Sequence, residues 1–274
     1  MSSKRRWFQY SLRTFLVLVT CVALAIAWFA NHARQRRAAL ESIRQAGGSI
    51  QMYYREPNSE TLLEKWFGRE LFEPVMKVDL RKGIVDNELL RHIGVLKELK
   101  RLDLTDAQID DEGLHGIAHL PLVELWLQNT KITDASAATL SQLKSLEFLQ
   151  LNANSLTDAF LEHLEVLPEL DNLGLRGTLV TNAGLKHLSR YPKLKKLYLY
   201  QTSVDDSGVL SLVGCQSLVQ LDLGSTKVTN RVFEHLARLP NLEDVDLNAS
   251  PVTTEAVLAF EKAHPKCDVE WYQN

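Results

Sequence analysis

Eight histidines and three cysteines are the side chains of widest chemical range in this sequence. His92, His163, His187 and His235 each stand just before a core aliphatic residue, and His163 and His187 lie 24 residues apart. Neighbouring rings at that spacing would make a candidate metal pair. His115 and His119, four apart, would share one helix face. No carboxylate or cysteine converges on either set, so both read as half-buried helix positions copied by duplication, and no metal is expected. Cys215 and Cys267 fall in apolar surroundings and Cys21 in a long apolar run, where cysteine acts as a small hydrophobe. Asp110, Asp111, Asp205 and Asp206 could suggest calcium, but capping of helix N-termini explains them. Glycine-framed serine, His-Glu-x-x-His, phosphate-loop and Cys-x-x-Cys patterns are all missing. The chain therefore reads as non-catalytic and without a cofactor.

The elements that hold these residues follow from charge and periodicity. The 274 residues carry 31 Lys plus Arg against 34 Asp plus Glu, but the charge is unevenly placed. Lys4, Arg5, Arg6, Arg13, Arg34, Arg36 and Arg37 lie within the first 37 residues, which hold no acid, and the rest of the chain stands at -10. A body so acidic is a poor partner for phosphate backbones, which argues against nucleic acid. Three cysteines exclude a disulfide-dense secreted scaffold.

From Thr14 to Asn31 there is no charged side chain. Eighteen helical residues reach about 27 Å, close to the roughly 30 Å of bilayer hydrocarbon. Trp28 lies at one end of the run and Trp7 and Tyr10 before the other, as interfacial aromatics do. The small-x-small triplets Ala23-Leu24-Ala25 and Ala25-Ile26-Ala27 leave a cleaved signal peptide as the alternative. Apolar residues continue past both, which favours a retained anchor. Four basic residues precede the span and three follow it, so the positive-inside bias places the N-terminus in the cytoplasm and the body outside by a narrow margin.

The period of the remainder decides its architecture. Leu-x-x-Leu-x-Leu recurs at Leu122/Leu125/Leu127, Leu146/Leu149/Leu151, Leu170/Leu173/Leu175, Leu194/Leu197/Leu199 and Leu218/Leu221/Leu223, with Leu242/Val245/Leu247 next. Leu99/Leu102/Leu104 and Val75/Val78/Leu80 precede them, and Lys266/Val269/Trp271 follows as a half-repeat. Each unit reads as strand, turn and helix. A small polar residue stands at position nine (Thr130, Asn154, Thr178, Thr202, Thr226, Ser250), where its side chain would satisfy turn amides. Thr133-Asp134, Thr157-Asp158, Thr181-Asn182 and Thr229-Asn230 have the form of helix starts. Prolines 121, 168, 192, 240 and 265 end the helices.

Residues Thr130-Lys-Ile-Thr-Asp134 and Asn182-Ala-Gly-Leu185 resemble the leucine-rich repeat family, in the short subtype shared with the cysteine-containing repeats of F-box proteins. Threonine mostly replaces the family's asparagine at position nine. No F-box precedes the repeats, so a ubiquitin-ligase role is not carried over. The N-terminal block is similar to a set of bacterial membrane proteins of unassigned function. There, residues like Phe8-Gln-Tyr-Ser-Leu-Arg-Thr14 lead a single span, and residues like Ile43-x-x-x-Gly-Gly48 open a small cap.

The expected organisation is a basic flank (1–13), a transmembrane helix (14–32), a juxtamembrane helix and N-terminal cap (33–74), eight leucine-rich repeats (75–265) and a C-terminal cap strand (266–274). The fold class is α/β: a right-handed solenoid with a parallel concave sheet and short convex helices. Within the cap, residues 39–45 read as a short helix, 49–54 as a strand and 60–72 as an amphipathic helix containing Gly68. Strand side chains alternate, so repeat positions three, five and seven face the open sheet. There Trp126, Phe148, Arg176, Tyr198 and Tyr200 bring large aromatics and arginine to a face that folding does not require to be apolar, and these are the residue types of binding hot spots. Gly174 leaves a gap in that row for an entering side chain. The expected function is a membrane-anchored module binding another protein through this face, with a structural or envelope scaffold as the alternative.

Overall fold

The computed structural model describes residues 12–53, 61–81 and 83–272. Most of the basic flank, including Trp7 and Tyr10, lies outside the described residues, as does Glu60 at the start of the expected cap helix. Ten strands form one sheet in sequence order: β1 (Ser49–Met52), β2 (Val75–Asp79), β3 (Arg101–Asp103), β4 (Glu124–Trp126), β5 (Phe148–Gln150), β6 (Asn172–Gly174), β7 (Lys196–Tyr198), β8 (Gln220–Asp222), β9 (Asp244–Asp246) and β10 (Asp268–Glu270). Strand β1 is antiparallel to β2, and all later pairs are parallel. Leu102, Leu125, Leu149, Leu173, Leu197, Leu221, Val245 and Val269 share one register row, and all are buried. The repeat step, 23 residues from Leu102 to Leu125 and 24 thereafter, makes this happen, because it returns an aliphatic core residue to the same place in each coil.

Helices line the opposite side: α3 (Asn87–Ile93), α4 (Asp111–Leu114), α5 (Ser136–Leu140), α6 (Asp158–His163), α7 (Asn182–Leu185), α8 (Asp206–Ser211), α9 (Val232–Leu236) and α10 (Thr254–Ala263), after α1 (Leu12–Gln45) and α2 (Leu62–Phe67) at the N-terminal end. Thr157, Thr181 and Thr253 cap α6, α7 and α10, and Asp86, Asp110 and Asp205 cap α3, α4 and α8. Helices α5 and α9 begin two residues later than expected, although Thr133 and Thr229 still accept from the amides of Ala135 and Arg231.

Two further ladders tie each coil to the next. Position eight is left-handed in seven consecutive repeats, with φ of 65° at Asp106, 51° at Asn129, 55° at Ala153 and Gln201, 53° at Ser225, 57° at Ala249 and 63° at Gly177. That conformation turns its amide to the following coil, as in Ala153 to the Arg176 carbonyl at 2.7 Å and Gln201 to Gly224 at 3.0 Å. Only Gly177 is free of the β-carbon penalty, which is about 1–2 kcal/mol per residue. Glycine returns roughly 0.5–1 kcal/mol of that through its freer unfolded chain. Gln201→Gly is therefore expected to stabilise the protein by about 0.5–1 kcal/mol, a rise of roughly 1–4 °C in melting temperature. A calorimetric scan showing no rise would refute the strain argument.

The second ladder joins position thirteen of one repeat to position twelve of the next. Asp111 accepts from the amide and hydroxyl of Thr133 (2.8 and 2.6 Å), Asp134 from those of Thr157 (2.8 and 2.6 Å), Asp158 from those of Thr181 (2.7 and 2.6 Å) and Asp206 from those of Thr229 (2.9 and 2.7 Å). Where position twelve is aspartate, the preceding position thirteen is asparagine: the Asn87 amide donates to Asp110 and that of Asn182 to Asp205, each at 2.7 Å. A donor thus always faces an acceptor. The buried row at position nine works differently from expectation. Thr178, Thr202 and Thr226 donate their hydroxyls to the carbonyl three residues back, at 2.6–2.7 Å, and do not receive turn amides. Asn154 and Ser250 do receive an amide, from Thr130 and Thr226 of the preceding coil.

The N-terminal end departs most from the sequence reading. The expected span and the expected cap helix are one continuous helix of 34 residues, α1. No proline or glycine stands between Asn31 and Ala38 to interrupt it. Its apolar stretch is long and apolar enough to cross a membrane and is not buried within the chain. Its last turns are docked: Ala39, Leu40 and Ile43 enter the core, and Phe29 stacks on Phe72 with ring centroids 5.9 Å apart. The second cap helix also differs, since Gly68 at φ 87° ends α2 and a tight turn over Arg69–Leu71 follows. Its start is secured by Thr61 and Glu64, each accepting from the other's amide.

Candidate functional site

The concave face divides into two clusters with a polar bridge between them. Trp126 on β4 and Phe148 on β5 lie diagonally across the sheet, with ring centroids 4.8 Å apart and planes tilted by 45°. Two strands further on, the Arg176 guanidinium lies 4.7 Å from the centre of the Tyr198 ring. It reaches past that ring to β8, where Nη2 pairs with Asp222 Oδ2 at 2.6 Å. Asp222 is buried and Arg176 is half exposed, so the acid acts as an anchor beneath an arginine whose outer edge faces solvent. The Tyr198 hydroxyl donates to Gln220 (3.3 Å), whose amide donates to Asp244 (3.0 Å). Tyr200 lies over Gly224, in the space a β-carbon there would occupy.

The gap expected at Gly174 is filled. A β-carbon at Gly174 would meet Gln150 Oε1 at 1.8 Å, because the buried Gln150 side chain lies across the glycine. Gln150 donates to Asn172 Oδ1 (3.1 Å) and accepts from the Asn152 amide (2.9 Å). The five residues singled out from the sequence therefore form an aromatic pair on β4–β5 and an arginine–tyrosine stack with Tyr200 on β6–β7. Asp222 and Gln220 support the second cluster and were missed. Their place at positions five and three was visible, but a contact spanning two strands was not.

Beyond these clusters the face becomes acidic. Burial, with neighbouring Asp246, raises the Asp222 carboxyl above the usual range despite Arg176 and the Gly224 amide. Burial and the charges of Asp268 and Asp246 raise Asp244 in the same way, against the opposing Lys196. Both hold a proton more tightly folded than unfolded, so each withdraws stability as pH rises above the ordinary value of 3.8 and through the folded pKa, and neither does so below it. Melting Asp222→Asn beside the parent as pH is raised from about 3.8 is expected to move the difference in the variant's favour until the folded pKa is passed, and to hold it constant beyond. A difference that is flat or moves the other way would count against this account.

His115, His119 and His92 each take separate partners. His115 turns its ring back to the carbonyls of Asp111 and Glu112, while His119 bonds the Gly94 carbonyl at 2.8 Å. His92 meets the Ser42 hydroxyl at 3.1 Å. Among the described residues no three His, Cys, Asp or Glu side chains gather as a metal site. Burial pushes the Cys215 and Cys267 thiols up to about 11, which leaves little thiolate at neutral pH. The acids considered for calcium are committed elsewhere, Asp110 and Asp205 as caps and Asp111 and Asp206 as rungs to the next coil.

A family profile described as a leucine-rich repeat matches residues 97–118, about one unit of the series. An internalin of Listeria monocytogenes superposes with a TM-score of 0.54 at 21% identity, over 72% of this chain and 54% of its own. The fold is a leucine-rich-repeat solenoid. Internalin C2 of the same organism gives a TM-score of 0.53 at 21% identity, over 72% of this chain and 81% of its own. The leucine-rich-repeat ectodomain of the Arabidopsis receptor kinase HAESA, solved with a peptide hormone ligand, gives 0.56 at 17% identity over 89% of this chain and 42% of its own. The chain thus spans about half the length of the first internalin. No curated protein matches the sequence. These likenesses are to the fold, and the concave clusters of the leucine-rich-repeat solenoid are read from their own geometry.

Proposed function

We propose that this leucine-rich-repeat solenoid is a non-catalytic binding module, anchored in a membrane by residues 14–32, that takes a protein partner on its concave face. One observation carries the reading: Trp126, Phe148, Tyr198 and Tyr200 are only half buried on a sheet whose opposite face already holds the complete core. Large apolar area left open on a rigid sheet is what hot spots use, and Arg176 is pre-oriented between Tyr198 and Asp222, which lowers the entropy lost on contact. The HAESA ectodomain supports the class of partner in general terms, as a solenoid of this fold with a peptide ligand. The N-terminus is assigned to the cytoplasm and the repeats to the extracytoplasmic side.

The test is partner capture by crosslinking in native membranes, comparing the parent with Trp126→Ala and with Tyr198→Ala. Each change is expected to cost about 2 kcal/mol of affinity, roughly 30-fold, with little change in unfolding. Equal recovery from folded variants would move function off this face and favour a scaffold role. In that case, loss of the anchor alone would reproduce the full defect.

A further inference from the structure

The cap fixes how the solenoid stands relative to the apolar half of α1. Two levels along the helix are tied to opposite ends of β2. Beside the start of β2, Phe29 touches Phe72 and the Arg36 guanidinium donates to the carbonyls of Glu70 and Glu73. Near the end of α1, the Ala46 carbonyl accepts from Ile84 at 3.0 Å, just after β2 and its turn. The ten residues from Arg36 to Ala46 rise about 15 Å as helix, matching about 16 Å for the five residues of β2. Strand β2 therefore runs alongside α1 and away from its apolar stretch. Strands β3–β10 are parallel to β2, so every loop that precedes a strand lies on the side of that stretch.

We infer that this pre-strand edge is a bilayer-facing surface, seated on the lipid headgroups with the solenoid lying along the membrane. The inference rests on the proposal that α1 spans a membrane. From Ala30, the end of the apolar run, to Arg36 is about 9 Å of helix, comparable to the headgroup layer of roughly 5–7 Å on each side of the hydrocarbon. Charge separates the two edges in the same sense. The pre-strand loops carry Lys97, Lys100, Lys144, Lys193, Lys195, Arg238 and Lys266 against Glu98, Glu147, Glu165, Glu169, Asp171 and Glu243, leaving an edge near neutral. The opposite edge sets Asp106, Asp110, Asp111, Asp134, Asp158, Asp205 and Asp206 against Arg81, Lys131, Arg176, Lys227 and Arg231, a modest net acidity that anionic headgroups disfavour. The concave face then opens along the membrane plane, toward a partner standing on the same bilayer.

The experiment uses the full chain in nanodiscs containing an anionic lipid and a lipid with a nitroxide on its headgroup, in a Cys21→Ala background. A fluorophore is placed at Ser145→Cys, in a pre-strand loop, or at Ser155→Cys, on the opposite edge; both serines are exposed. Quenching several-fold stronger at residue 145 than at 155 is the expected result. A third label at Val19→Cys, read with an acyl-chain nitroxide, reports on the span itself. Equal or reversed edges with Val19 quenched would overturn the pose alone. An unquenched Val19 would overturn the span and the pose with it.

Discussion

Arg36→Met is expected to release the last turns of α1 from the cap at a cost of about 3 kcal/mol, the lower end for breaking a buried ion pair by removing one partner. Arg36 is only 4% exposed and sits where three acceptors meet: the Glu70 carbonyl at 3.2 Å, the Glu73 carbonyl and the Glu98 carboxylate. Methionine keeps much of the stem but donates to none of them. Glu98 remains partly solvated and keeps a bond from the Val75 amide at 3.3 Å, which is why the lower figure applies. The repeats beyond β3 do not touch Arg36, so the loss is local. Amide exchange in residues 36–45 is expected to accelerate by about two orders of magnitude, while the core strands β5–β8 stay protected. Unchanged exchange in that segment would mean that Ala39, Leu40 and Ile43 hold the helix without it.

The second large effect lies between repeats. Asp158 accepts three bonds from the following coil: the amide and hydroxyl of Thr181 at 2.7 and 2.6 Å, and the amide of Gly184 at 2.9 Å. Asp158→Ala removes a charged acceptor, leaves the partly buried Thr181 amide without a partner and leaves the Gly184 amide only its longer bond to the Thr181 carbonyl at 3.2 Å, a loss of about 2–3 kcal/mol. Asp158→Asn tests the mechanism: its oxygen still accepts an amide, but its NH2 must face the Thr181 hydroxyl, so it is expected to recover about half. Chemical denaturation of the three proteins reads both values from the midpoints at constant slope. If alanine and asparagine were equivalent, the polarity of the rung would be irrelevant.

Much of this was legible because a repeat multiplies every signal. Leucine phase located the core row, and Thr157-Asp158 and Thr181-Asn182 marked helix starts, whereas Pro121 and Pro168 stand well past the ends of α4 and α6. What stayed hidden depends on single long-range meetings. Arg36 finds Glu98 across 62 residues, and nothing local distinguishes it from Arg34 or Arg37. Arg176 passes over Tyr198 to reach Asp222 two strands away, a contact that position in the repeat does not encode. The rungs were an intermediate case. The residue types at positions twelve and thirteen were plain to see, but reading them as caps within one repeat concealed their pairing between repeats.

That pairing gives the array a rule for cutting and joining. Excising residues 146–169 would bring Asp134 against Thr181, an acceptor meeting a donor as before. Excising 194–217 would join Asn182 to Thr229, the same pair of types that Asn230 and Thr253 make now. Removing 170–193 would instead set Asp158 against Asp205, two carboxylates with no proton to share at neutral pH. Coils of equal length and equal leucines are thus not interchangeable bricks. Each has a polarity at its leading and trailing face, and the number of repeats can change by one only where the newly made junction still matches.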